Sequence, residues 1–118
     1  MALRLRQKQS IFARLSAQLI LKAFDLGYEV TYGETYRSPD ECRRLADLGK
    51  GIVNSLHGDR LAIDLNLFRN GRYLKATSDH AVLGAYWESL SGDDYTCVWG
   101  GSWGNDGNHY SIQHGTRK

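Results

Sequence analysis

Chemistry in this chain of 118 residues centres on His57, Asp64, Asp106 and His109. His57 and Asp64 lie seven residues apart, and Asp106 and His109 lie three apart. Two histidines and one carboxylate make a common catalytic zinc set that leaves a fourth position to water. The remaining acid, Asp106, is then placed to take a proton from that water. Each residue also has an ordinary reading. A loop histidine is usually a surface group. Asp64 can sit on a solvated sheet face, and an aspartate in Asn105-Asp106-Gly107-Asn108 is ordinarily a turn residue. Two details favour the metal reading. Asp64 shares its strand face with the small Ala62, which clears space beside it. On a strand over 109–113, His109 faces with Ser111 and Gln113, while Tyr110, Ile112 and His114 face away. His114 is therefore a poor co-ligand despite its proximity. His80, in the first turn of a helix, is expected to be exposed. A Ser55–His57–Asp64 triad is weaker, because no G-x-S-x-G elbow is present and Ser55 lies too close in sequence to His57.

The elements that must position these residues follow from periodicity and turn chemistry. Phe12, Leu15, Leu19, Ala23 and Leu26 recur at helical spacing over 10–26, and Gly27 stops that helix. Residues 28–32 read as a short strand. Ser38-Pro39-Asp40-Glu41 reads as a helix start, with Ser38 as cap, Pro39 at the first position and Glu41 closing a capping box. That helix runs to about Leu48 and ends at Gly49. Residues 50–60 read as loop. From Leu61 to Phe68 apolar and polar residues alternate, as on a strand with one face in the core. Asn70-Gly71 signals a hairpin into a strand around Tyr73. Thr77 or Ser78 caps a helix over about 79–90, with Val82, Leu83, Tyr86, Trp87 and Leu90 as its apolar stripe. Residues 92–108 read as irregular structure around a site, and 109–113 as a last strand. The fold class is α+β, a single domain over 1–118 with about three helices and a small antiparallel sheet.

Composition is that of an ordinary globular domain: 42% hydrophobic, 24% charged, and 15 basic against 13 acidic residues for a net charge of +2. Disordered, collagen-like and coiled-coil classes are excluded. A nucleic-acid partner is disfavoured, since no basic stripe stands out. The three Trp and seven Tyr are expected in the core and in cleft walls. Cys42 and Cys97 show no paired spacing and read as two reduced thiols. Arg14, Gln18 and Lys22 interrupt the apolar run of the first helix. Neither a signal peptide nor a membrane-inserted span is expected.

Ser55-Leu56-His57, Ala62-Ile63-Asp64, Trp99-Gly100-Gly101 and Asp106-Gly107-Asn108-His109 follow one another in that order. In this the chain resembles the zinc peptidases that include phage L-alanyl-D-glutamate endolysins and D-alanyl-D-alanine carboxypeptidases, over about residues 28–113. The resemblance implies a hedgehog-type, D-Ala-D-Ala-peptidase-like fold. It implies Zn²⁺ held by His57, Asp64 and His109, with Asp106 as catalytic base. Arg37 would stabilise charge on the substrate carbonyl, and Ser55 would support the ligand loop. The implied substrate is the peptidoglycan stem peptide, cut by a monomer. An Asp before the last His resembles the L-alanyl-D-glutamate branch. A chain without a signal peptide would act from the host cytoplasm, reaching the wall through a holin-type pore. Alternatives are a D-alanyl-D-alanine carboxypeptidase, or a non-enzymatic wall-binding or virion protein of the same fold. The sequence departs from the family at Arg60, where Gly is usual, at Asn108, where Pro or an aromatic is common, and at Tyr110, where Phe is usual.

Overall fold

The computed structural model describes residues 2–52 and 54–118; Val53, within the expected loop 50–60, lies outside the described residues. Helix α1 spans Leu5–Asp25, and strand β1 spans Glu29–Tyr32. Helix α2 spans Pro39–Asp47, followed by strands β2 (Ala62–Arg69) and β3 (Arg72–Leu74). A 3₁₀ turn, Thr77–His80, leads into helix α3, Ala81–Ser89. Strand β4 (Cys97–Trp99), a second 3₁₀ turn (Gly100–Ser102) and strand β5 (His109–Ile112) complete the chain. The result is α+β, with three helices and a five-stranded antiparallel sheet among the described residues.

Strand β2 is the centre of that sheet. Its second half pairs with β1, from Tyr32↔Leu65 to Glu29↔Phe68, and with the hairpin strand β3. Its first half pairs with β5, which in turn carries β4. The hairpin turn has positive φ at both Asn70 (53°) and Gly71 (75°), the pairing that suits the twist of the flanking strands.

Helix α1 supplies one wall of the core. Phe12, Leu15, Leu19 and Ala23 are all buried along one stripe. Phe12 meets Trp87 of α3 edge to face at 5.7 Å, and Trp87 meets Tyr110 of β5 at 6.2 Å. Trp87 also donates from Nε1 to the Ser111 carbonyl at 3.0 Å, so the buried indole leaves no unmet donor. The helix begins five residues earlier than the expected 10–26. Its first turns are held by tertiary contacts: Gln9 donates to the Asp59 carbonyl at 2.8 Å, and Lys8 to the Gln113 carbonyl at 3.2 Å. Its end is the expected one. Gly27 takes φ 90°, Gly27 N donates to Phe24 O at 3.0 Å and Tyr28 N to Ala23 O at 3.0 Å. This double bond pattern satisfies two of the last carbonyls.

Helix α2 starts as expected, with Ser38 Oγ accepting from Glu41 N at 3.1 Å. The expected capping box closes only by half, because the Glu41 carboxylate turns to Arg44 Nε at 3.0 Å. Before α3, Thr77 and Ser78 lie inside the 3₁₀ turn rather than capping it. Asp79 Oδ2 instead accepts from Ala76 N at 3.0 Å. Strand β4 lies within the stretch expected to be irregular. Both cysteines are free and buried.

His80 corrects the expectation of an exposed side chain: it is 2% exposed, with Nδ1 2.7 Å from the Tyr110 hydroxyl. Burial holds its pKa down at about 4, against the milder pull of Asp79. The sign of the consequence is fixed. Above the unfolded value of 6.5, neither state binds a proton here and the stabilising contribution is complete. Between 6.5 and about 4 the unfolded chain protonates and the folded one does not, so stability falls with pH. The shift corresponds to about 3 kcal/mol. Urea unfolding across this range should therefore decline more steeply for the original protein than for His80→Asn. Parallel declines would show that His80 is not the buried neutral group.

Candidate metal centre

Pairing of β2 with β5 brings two of the four residues together. Asp64 and His109 are direct cross-strand partners, so their side chains stand side by side on one face. His57 comes from the turn that feeds β2. Gly58 N donates to Ser55 O and Leu61 N to Leu56 O, both at 2.9 Å, and the Ser55 hydroxyl accepts from His57 N at 3.2 Å. Ser55 thus fixes the backbone from which His57 projects.

Both imidazoles converge on one oxygen. His57 Nε2 and His109 Nδ1 each lie 3.3 Å from Asp64 Oδ1, and the three donor atoms lie within 4.8 Å of one another. A charged imidazole–carboxylate hydrogen bond is shorter, at about 2.7–2.9 Å. A tetrahedral ion with bonds of about 2.0–2.1 Å holds its ligands about 3.3 Å apart. Two of the three spacings match that value, and the group is compact enough to share one ion. The tautomer fits as well: His57 Nδ1 lies 3.0 Å from the Thr35 carbonyl, which favours a proton there and a bare Nε2 facing Asp64. His57 and His109 are 3% and 7% exposed. His109 Nε2 is buried without a hydrogen-bond partner. These residues can hold a metal ion.

The electrostatics follow from crowding two imidazoles on one carboxylate. Burial opposes ionisation of Asp64, but the hydrogen bonds and charges of His109 and His57 hold its pKa down at about 2. Burial likewise opposes protonation of His57. Asp64, the Thr35 carbonyl and Glu34 outweigh it, and its pKa is raised. Asp106 lies at the edge of the group, with Oδ2 3.8 Å from His109 Nδ1. Burial raises its pKa, and the negative charge of Asp64 adds to that, against the opposing pull of the two histidines. It is a carboxylate with heightened affinity for a proton.

Arg37 and Asp106 line the same cleft, of about 690 Å³, as the three candidate ligands. The Arg37 backbone N–H donates to the His57 carbonyl at 3.2 Å, and its guanidinium pairs with Glu34. Glu34, absent from the sequence-level candidates, ties these parts together. Its carboxylate lies 3.8 Å from His57 Nδ1, and its backbone carbonyl accepts from Asp64 N at 2.8 Å. Trp103 is a second addition, with its ring edge on to His109 at 6.1 Å and facing the cleft. Neither gives a local signal, since each acts only through contacts made by folding. His114 takes no part; its Nδ1 lies 3.2 Å from Lys8 Nζ.

Trp99-Gly100-Gly101 positions Asp106. Trp99 donates from Nε1 to the Gly107 carbonyl at 2.6 Å, and His109 N donates to Asp106 O at 3.0 Å, closing the turn that carries the acid. A Cβ on Gly100 would sit 2.0 Å from the Asp106 carbonyl oxygen, so only glycine allows this approach. Gly100→Ala should destabilise the fold by about 1–3 kcal/mol, the usual cost of forcing atoms into a packed site. Urea unfolding reads this directly, and unchanged stability would show that the turn yields freely.

No family model matches the chain, and no curated protein matches it. What the centre can do rests on its own donor set. It offers two buried imidazoles, one ionised carboxylate, a second carboxylate with raised proton affinity, and an arginine on the cleft wall.

Proposed function

We propose that this chain is a zinc-dependent peptidase that hydrolyses the L-alanyl-D-glutamate bond of peptidoglycan stem peptides, acting as a lysin. The observation that carries this reading is the convergence of His57 and His109 on Asp64, with Asp106 beside them in one cleft. The resemblance of the ordered motifs to phage L-alanyl-D-glutamate endolysins supplies the substrate and the route to the wall, through a holin-type pore from the host cytoplasm.

Zinc held by His57, Asp64 and His109 would polarise the scissile carbonyl and lower the pKa of a water from about 15.7 towards about 7. Asp106 accepts the proton that the attacking water loses, on a carboxylate oxygen, and passes it to the leaving amine. Its raised pKa suits both transfers. Arg37 donates to the carbonyl oxygen as negative charge builds there, a contribution of about 2.7–4 kcal/mol for a well-placed donor. Glu34 orients that guanidinium, and Ser55 and the Thr35 carbonyl hold His57 in place.

Digestion of purified muropeptides, read by mass spectrometry, tests the reaction. Scission between L-Ala and D-Glu supports the proposal. Release of terminal D-Ala alone would make the chain a carboxypeptidase, and intact muropeptides would favour a wall-binding or virion role.

A further inference from the structure

Charge is unevenly spread along the chain. Residues 1–24 hold five basic residues and no acid, while the remaining 94 hold ten basic against 13 acidic. Helix α1 gathers most of that basic segment into one element, and its inner stripe of Phe12, Leu15, Leu19 and Ala23 is buried in the core. Arg6, Ala13, Arg14, Ala17, Leu21 and Phe24 are all exposed. At 3.6 residues per turn they share one outward arc of about 100°. Leu21 and Phe24 are 66% and 51% exposed, and three residues apart they are neighbours on that face. Arg6 and Arg14 pair with no carboxylate among the described residues. Two other cations of the segment are engaged elsewhere. Lys8 donates to the Gln113 carbonyl, and Lys22 Nζ lies 5.4 Å from the centre of the Tyr86 ring. Asp25, next to Phe24 and also exposed, is the first acid in the chain. No residue of α1 lines the cleft of the candidate metal centre.

We infer that the outer face of α1 docks on an anionic lipid surface, with Arg6 and Arg14 at the headgroups and Leu21 and Phe24 at the acyl boundary. Basic side chains beside exposed leucine and phenylalanine on one helix face are the pattern of a helix that lies in a membrane interface. Lipid phosphates complement the charge of the arginines, whose planar guanidinium suits them. The same contact takes the two apolar side chains out of water. Ala13 and Ala17, between the two pairs, carry no long side chain to hold the surface off. A second copy of the chain is disfavoured here, because it would bring two acid-free basic segments together. A nucleic acid would satisfy the arginines and leave Leu21 and Phe24 in water. The contact is peripheral: α1 keeps its inner stripe in the core, and among the described residues no helix is long and apolar enough to cross a membrane. The inference stands apart from the peptidase reading and uses none of its residues.

Co-sedimentation of the full chain with lipid vesicles tests this. Vesicles of phosphatidylcholine with about a third phosphatidylglycerol should carry the protein down, less so as salt is added. Vesicles of phosphatidylcholine alone should leave it in solution. Arg6→Gln with Arg14→Gln should weaken partitioning by about 25-fold, at about fivefold for each charge near an anionic surface. Leu21→Ser with Phe24→Ser should weaken it by a similar factor of about 25, from the apolar area left in water. All four side chains are exposed, so both pairs should fold, and unchanged urea unfolding confirms that a loss of binding is not a loss of structure. Equal partitioning to the two kinds of vesicle, or to neither, overturns the inference. Anionic binding undiminished by the Leu21, Phe24 pair would be diffuse attraction and overturns the seating of this face. Binding undiminished by the Arg6, Arg14 pair overturns the charge match. A concentration-dependent dimer that the same substitutions dissolve would give the face to a second copy and overturn the inference. So would steeply salt-dependent binding of an oligonucleotide in place of the vesicles.

Discussion

Asp106→Ala is expected to lower turnover of stem peptides by about 10²–10⁴-fold, the usual contribution of general acid–base catalysis, while leaving zinc stoichiometry unchanged. Asp106 stands outside the trio that converges on one point: its Oδ2 is 3.8 Å from His109 Nδ1, whereas His57 and His109 each lie 3.3 Å from Asp64. Removing it takes away a proton carrier and no ligand. Its side chain is 48% exposed, so the alanine leaves no buried hole and folding should persist. Turnover within a few-fold of the original would make Asp106 a turn residue held by Trp99 and Gly100. Loss of metal with loss of activity would make it a ligand.

Asp64→Ala should have the opposite signature, losing tight metal binding and activity together. Asp64 is the shared partner of both imidazoles, and without it the carboxylate that draws the two nitrogens to one point is gone. An ion that binds only the folded chain stabilises it by about 4 kcal/mol at 1,000 times its dissociation constant. Urea unfolding with and without zinc should show that gain for the original protein and not for the variant. Equal gains in both would place the ion elsewhere. Affinity should also depend on pH in a definite direction. Binding requires neutral imidazoles, and the His57 pKa is raised above 6.5, so affinity should already be falling as pH drops towards that value.

Much of the framework was legible because local chemistry and tertiary structure agree. The Phe12–Leu15–Leu19–Ala23 stripe, the Ser38-Pro39 helix start and the Asn70-Gly71 hairpin each carry their own signal within a few residues. So does β2, where Asp64 interrupts an apolar alternation. The parts that were not legible depend on distant partners. β4 has only three residues, too few for periodicity, and exists through its pairing with β5. His80 is buried because the Tyr110 hydroxyl, 30 residues away, gives it a partner. Glu34 reads as one more acid after a strand until folding sets it between Arg37 and His57.

Arg60 falls between these cases. The sequence departs there from the glycine usual in the resembling family. The backbone nonetheless keeps a left-handed conformation, φ 57°. That conformation costs a residue with a Cβ about 1–2 kcal/mol. The Arg60 guanidinium stacks over the Tyr36 ring at 4.0 Å. Such a contact returns about 0.5–1 kcal/mol at an exposed site. The turn carrying His57 therefore survives a substitution that spacing alone suggests would disturb it.

In the proposed function, the His57–Asp64–His109 centre drives peptide hydrolysis through a metal ion. The most direct measurement is hydrolysis of purified stem peptides by one preparation in three states: as isolated, after chelation and dialysis, and after one equivalent of zinc is restored. Activity, its loss and its return are expected in turn, with the Asp64→Ala protein inactive in all three. Hydrolysis at the original rate in chelated, metal-free protein would contradict it.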